Sequence, residues 1–461
     1  MNSYCLATYR CYDEKADFAK KATGIAVGLT VGSWTELPEA QKAQMEKHLG
    51  KVVDVAVHEP APGEPAAARY ADIRIAYPDV NYSRDLPALL VTVFGKLSMD
   101  GRIKLLDLSF SPAFLAGFAG PKFGIKGVRD WLGVHDRPLL MSIFKSVVGY
   151  ELPALREQFY LQAAGGVDLI KDDEILFENP LTPLERRIEV CLAAAEEARA
   201  QTGQKLLYAV NLTGPTFGLL EQARKAIRAG ANALLFNVLA YGFDVLHALS
   251  ADSEINVPIM AHPAIAGALY PSPHYGIAAP LLLGKLMRLA GADLVLFPSP
   301  YGSVVMPREE NLAIKHALLT DNWAADYLYA GNGVAGSFAS SRTGSSSDAC
   351  GAAAQADALH SAAAGSGADT DTADAPALAA SFPVPSAGIH PGLVPLILRD
   401  FGSNVVVNAG GGIHGHPLGT IAGGQAFRQA IDATLQGIAL QDYAASHPEL
   451  QAAIDAWGVR A

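Results

Sequence analysis

The sequence predicts an α/β protein in two parts: a small α+β, ferredoxin-like domain over residues 1–125 and a closed (β/α)8 barrel over 126–461. Three observations carry this. The first 125 residues mix strand-like and helical stretches in no repeating order. From residue 138 onward, short, nearly continuous apolar segments alternate with helical stretches, eight in all, as parallel strands buried on both faces require. No Gly-x-Gly-x-x-Gly follows the first of them, which weighs against an open, doubly wound sheet.

In order, Tyr4–Tyr12 reads as a strand and Glu14–Leu29 as a helix. Lys51–His58 and Tyr70–Tyr77 alternate with period two, as strands do. Leu86–Gly95 reads as a helix and Ile103–Phe110 as a strand, which together suggest a mainly antiparallel sheet. The glycines of 117–127 mark a junction. The barrel strands are read at Pro138–Lys145, Val167–Lys171, Lys205–Asn211, Ala233–Val238, Val257–Ala261, Ala292–Phe297, Phe382–Ser386 and Asn404–Asn408. Helices are read at Glu151–Ala164, Pro183–Thr202, Leu219–Ala229, Tyr275–Ala290 and Val394–Phe401. Residues 331–381 break the rhythm. Rich in Ala, Gly, Ser, Asp and Thr, with one Arg, no Lys and one aromatic, Phe338, they hold too little apolar surface to offset their ordering entropy. They are read as a disordered insertion.

Composition narrows the function classes. Lys+Arg 35 against Asp+Glu 46 gives a net charge of -11, the wrong sign for a basic nucleic-acid footprint. Mean hydropathy is +0.18, yet no apolar run approaches the ~18 residues of a membrane span; alanine raises the average. Cys5, Cys11, Cys191 and Cys350 show neither metal-ligand nor disulfide spacing. With no basic-then-apolar leader, a cytoplasmic enzyme with reduced thiols is expected.

Barrel active sites lie at the C-terminal ends of the strands, and polar groups end nearly every strand here: Lys145, Lys171, Asn211, Asn237, His262, the Ser386-Ala387-Gly388 turn, and Asn408 before Gly410-Gly411-Gly412. In GGVDLIKDDE, alternation puts Lys171 and Asp173 on one side of the strand, with Glu174 following. Two readings stand: a buried ion pair with a helix-capping acid, or a metal site. In the second, a carbamate formed from CO2 on the Lys171 amine joins two carboxylates in a hard oxygen set suited to Mg2+. The three glycines after strand eight are either a plain turn or a phosphate cradle, since loops after the last two barrel strands commonly bind phosphate.

GKLSMDG, RPLLMSIFK, GGVDLIKDDE, NLTG, LLFN, MAHPA, FPSPYGS, PSAGIHPG and NAGGGIHGHP occur in this order. Together they resemble the RuBisCO large-chain superfamily, and more closely its non-carboxylating, RuBisCO-like (type IV) branch. The resemblance covers nearly the whole chain outside 331–381. It implies Mg2+-dependent enolisation of 2,3-diketo-5-methylthiopentyl-1-phosphate in methionine salvage. It also implies that Lys171, as its carbamate, binds the metal with Asp173 and Glu174, and that Lys145, Lys171, Asp172, Asp173, Glu174 and His262 contact substrate. Gly388, Gly410 and Gly411 would hold the phosphate, and Lys96 would take the proton. A homodimer is implied, the N-terminal domain of one subunit covering the barrel mouth of the other.

Departures from the carboxylase pattern argue against CO2 fixation. Val147 stands where a carboxylase has lysine, and Pro263 where it has arginine; PSPYGSVV lacks the lysine of the loop after strand six. These cations would stabilise the carboxylated intermediate. The rivals are a related isomerase or decarboxylase acting on another sugar phosphate such as 5-methylthioribulose-1-phosphate, a Schiff-base aldolase using Lys145 or Lys171, and an inactive phosphate-binding protein.

Overall fold

A computed structural model describes residues 3–32, 39–145, 147–302, 304, 306–320 and 378–460. The N-terminal sheet has strands β1 (Tyr4–Tyr12), β2 (Lys51–His58), β3 (Tyr70–Pro78) and β4 (Ile103–Ser109), which pair with one another antiparallel. The first helix, Phe18–Gly28, starts four residues later than the helical composition suggests. There the Asp17 side chain accepts from Lys20 N and caps it. β2 does not bury one face as its alternation implies: it is the edge strand, and Val52, Val53 and Val57 are exposed. The helix expected over 86–95 is α-helical over Leu86–Leu90 and a π-helical turn over Val91–Gly95.

The second sheet holds eight parallel strands: β5 (Leu139–Ile143), β6 (Leu169–Lys171), β7 (Leu207–Leu212), β8 (Ala233–Phe236), β9 (Ile259–Ala261), β11 (Leu294–Pro298), β12 (Phe382–Ser386) and β13 (Val406–Ala409). They neighbour one another in chain order, and β13 returns to β5. Asn408 Nδ2 donates to Ser386 Oγ (2.8 Å) between β13 and β12 at the closing edge. Helix Gly124–Leu132 plugs the lower end. Its Val128 and Leu132 join Leu139, Met141, Leu169, Leu207, Leu235, Met260, Leu296, Val384 and Val406 in one buried cluster, the barrel interior.

The expected helix 275–290 begins instead as a two-residue strand, β10 (Gly276–Ile277), parallel to β4. A Cβ on Gly276 would lie 1.9 Å from Leu269 O, and its φ is +82°, so the position requires glycine and opens the loop away from helix. β10 ties the barrel to the N-terminal sheet. Buried Lys104 on β4 reinforces the tie, its Nζ donating to Tyr270 O and Ser272 O at 2.7 Å each.

The insertion read at 331–381 lies outside the described residues up to 377. Its last four residues are tied to the barrel by hydrogen bonds, with Leu378 and Ser381 buried, which corrects that boundary. Leu378 is buried, Arg288 donates to Leu378 O and Ala379 O, and Ile125 N donates to Ala380 O. Ser381 Oγ donates to Ala292 O (2.7 Å). They lead the chain into β12, and their backbone groups satisfy buried donors. Among the described residues no helix is long and apolar enough to cross a membrane, and Cys5, Cys11 and Cys191 are free and buried.

Candidate active site at the barrel mouth

Side chains alternate along a strand, so the interior stripe can be followed upward. It is apolar at the bottom and turns polar at the top: Leu169 then Lys171 and Asp173, Ala209 then Asn211, Leu235 then Asn237, Met260 then His262, Val384 then Ser386, Val406 then Asn408 and Gly410. The parity that builds the dry core therefore delivers polar groups from six of the eight strands to the mouth.

At the axis, Lys171 is 1% exposed. Its Nζ donates to Asp172 O (2.9 Å) and lies 3.4 Å from Glu174 Oε2. His262, arriving from β9 across the barrel, places Nε2 3.4 Å from the same oxygen. Ala264 N donates to His262 Nδ1 (3.2 Å), so neutral His262 carries its proton on Nε2. Lys145 Nζ is 2.9 Å from Asp173 Oδ2. Asn211 Nδ2 donates to Glu174 O (3.0 Å) and Leu176 O (3.2 Å), fixing the turn that carries Glu174. Asn237 Oδ1 and Asn408 Oδ1 are buried acceptors without a partner.

Burial and neighbouring charge together set the titration of this group. Burial lowers the Lys171 ammonium despite Glu174 and Asp173 nearby, and holds His262 well below the usual imidazole range, with Lys171 adding to the effect. Burial would raise Glu174, but Lys171 and Lys145 outweigh it and leave the carboxyl below its ordinary value.

Asp172 is the exception among the residues expected to touch substrate, and that assignment is corrected. It is fully buried just past the end of β6, on the outer side of the barrel. There Tyr208 OH donates to Oδ1 (2.6 Å), Asn211 N to Oδ2 (2.8 Å), and Arg187 Nε lies 3.3 Å away. Opposite parity to Lys171 puts it between strand and helix.

The three glycines lie on the loops that follow β12 and β13. Gly388 has φ +68° and follows Ala387 at φ +76°. Gly410 faces Lys145, whose Cε lies 3.2 Å from where a Cβ would stand, whereas a Cβ on Gly411 would meet open space. The loops after β11 and β12 interlock: Ser299 N donates to Ser386 O (2.9 Å), and a Cβ on Gly302 would collide with Ala387 O. Lys96 is not brought to this mouth within its own chain. It is exposed at the end of the Val91–Gly95 turn and lines a cavity of about 610 Å³ walled by Lys21, Ile25, Leu29, Leu97 and Met99 of the N-terminal domain.

The donor set fits a magnesium ion on one condition. Among the described residues no three His, Cys, Asp or Glu side chains are placed to hold a metal. Asp173 and Glu174 supply two anionic oxygens, and Lys171, between them and with burial favouring its neutral amine, is the group able to become a third by adding CO2. As an ammonium, Lys171 neutralises Glu174; as a carbamate, it would leave three anions that a divalent cation balances.

Comparison with known proteins identifies the family. The family model "Ribulose bisphosphate carboxylase large chain, catalytic domain" matches residues 124–311 and 349–457. A 2,3-diketo-5-methylthiopentyl-1-phosphate enolase of Geobacillus kaustophilus is 52% identical over 99% of this chain and 98% of its own. A rubisco-like protein (MtnW) of Alicyclobacillus acidocaldarius superposes with TM-score 0.82 at 43% identity, over 99% of this chain and all of that one. A dimeric archaeal Rubisco of Hyperthermus butylicus superposes with TM-score 0.78 at 26% identity, covering 99% and 96%.

Proposed function

Because the chain belongs to the RuBisCO large-chain family and resembles its enolases over its full length, we propose that it enolises 2,3-diketo-5-methylthiopentyl-1-phosphate to 2-hydroxy-3-keto-5-methylthiopentenyl-1-phosphate, within methionine salvage. It is an isomerase, a keto–enol tautomerase. The observation that carries the reading is the convergence of Lys171, Glu174 and His262 from opposite sides of the barrel, each within 3.4 Å of the next. Asp173, Glu174 and the Lys171 carbamate would hold Mg2+, which when bound supplies Lewis-acid polarisation of the substrate ketone.

The chain's own residues do the rest. Gly388, Gly410 and Gly411 leave room and free N–H groups for the phosphate. Lys145 and the Nε2–H of His262 are placed to donate to substrate oxygens. Lys96 of the partner subunit takes the C1 proton, which is acidic because C1 lies beside the C2 carbonyl; the electrons move into the C1–C2 bond and the C2 oxygen gains a proton. A second copy suits the mouth. Val148, Ile175, Phe177, Leu181, Phe217, Val304 and Leu418 all lie exposed on loops past strand ends, an apolar rim that calls for a cover. Val91 and Met99 are exposed beside Lys96.

The test is a spectral assay of enol formation from the diketone phosphate, with and without Mg2+ and bicarbonate. Activity that needs both supports the reading; turnover of 5-methylthioribulose-1-phosphate instead would replace it. Borohydride trapping with substrate would reveal a Schiff base if Lys145 or Lys171 worked as in an aldolase.

A further inference from the structure

Among the described residues two non-glycine positions have left-handed backbones, Ile265 (φ 74°) and Ala387 (φ 76°). Both lie just beyond the mouth end of a barrel strand. For a β-branched residue this conformation is an outlier held only where its surroundings enforce it. Ile265 recovers little by burial, since it is 56% exposed. The enforcement is visible. Ala266 N donates to Pro263 O and Ala268 N to Ile265 O, both at 2.9 Å. Ala266 is buried. Farther along, Lys104 grips Tyr270 O and Ser272 O, and β10 stitches the loop's end to β4. The loop that starts at His262 is thus clamped so as to present a strained, solvent-exposed aliphatic side chain three residues later.

We propose that Ile265 is a specificity residue that receives the apolar thioether end of the substrate and discriminates against a shorter or polar end. This rests on the enolase reading. A substrate with its phosphate at β12 and β13 and its reacting carbons between Lys171 and His262 must extend its other end to another part of the rim. β9 leads there, and Ile265 shares a fixed loop with the histidine that touches the reacting centre. Other apolar rim residues lie on loops without such a distortion.

The experiment compares kcat/KM of wild type, Ile265→Gly and Ile265→Asn on the methylthio substrate and on 2,3-diketobutyl-1-phosphate, which lacks the thioether arm. Glycine and asparagine both accept a left-handed backbone, so the thermal midpoint should stay level or rise. Losing one apolar contact should lower kcat/KM on the full substrate about tenfold, chiefly through KM, and on the short one less than about twofold. Parallel losses on both substrates, as weakened folding or dimerisation would produce, overturn the proposal. So does an unchanged preference. If wild type enolises neither compound, the enolase reading fails and this inference falls with it.

Discussion

Lys171 and Asp168 lie three residues apart in the sequence and belong to opposite ends of the barrel, and their substitutions should separate chemistry from stability. Buried Asp168, at the foot of β6, accepts from Arg137 (2.8 and 2.9 Å) and Leu140 N (2.8 Å) and meets Arg428 at 2.6 Å, both arginines being partly buried. Asp168→Ala would leave two partly buried cations without their carboxylate and cost about 2–4 kcal/mol, read as a fall in the denaturation midpoint. Lys171→Ala should leave the midpoint nearly unchanged, abolish Mg2+ binding measured by calorimetry and lower kcat by roughly a thousandfold. Preincubation with bicarbonate and Mg2+ should activate the wild type and leave this variant unaffected. Asp172 shows how far the residue scale was legible beforehand. The alternation that pairs Lys171 with Asp173 already turns Asp172 outward, so parity alone contained the answer. The left-handed backbone at Ile265 had no such signal, because nothing in its residue type announces a positive φ.

At the scale of elements, the strands were legible because apolar runs bounded by polar ends have few other uses. β10 was not, because two residues carry no periodicity and depend on β4 for their bonds. The lead-in to β12 makes a prediction of the same kind. Replacing residues 331–377 with a Gly/Ser linker keeps Leu378 and Ser381 in place, whereas a replacement through 381 removes the Leu378 side chain and frees the backbone that presents two of the acceptors of Arg288. The longer replacement should lose several degrees of thermal midpoint relative to the shorter. The loop after β11 is pinned in a way that pH can probe. Asp400 is bound by Arg308 (2.6 and 2.8 Å) and Tyr301, and chiefly the Arg308 bond holds its carboxyl down to about 2. A depressed acid stabilises the fold above its unfolded pKa, ~3.9, and loses that contribution as pH falls toward the folded value. The stability difference between wild type and Asp400→Asn should therefore be about 1–2 kcal/mol at pH 6 and shrink between pH 5 and pH 3.

The whole molecule raises the question of where Lys96 acts. It is exposed in its own N-terminal domain, in a cavity that no mouth residue lines. Lys96→Ala and Lys171→Ala homodimers should each be nearly inactive. Mixed at random, half the dimers are heterodimers, and a shared site leaves one of their two sites intact, so about a quarter of wild-type activity should return. Recovery near zero, with heterodimers confirmed by mass, would place Lys96 over its own barrel. The extension of the N-terminal sheet by β10 has a consequence for how the chain comes apart. Ala278 N donates to Leu105 O (2.8 Å) across the seam, so the sheet cannot open without freeing the loop that begins at His262. Denaturation should then be one cooperative event for both parts, and the amides of Ala278 and Leu105 should exchange with solvent deuterium as slowly as those of the barrel strands, through global unfolding alone.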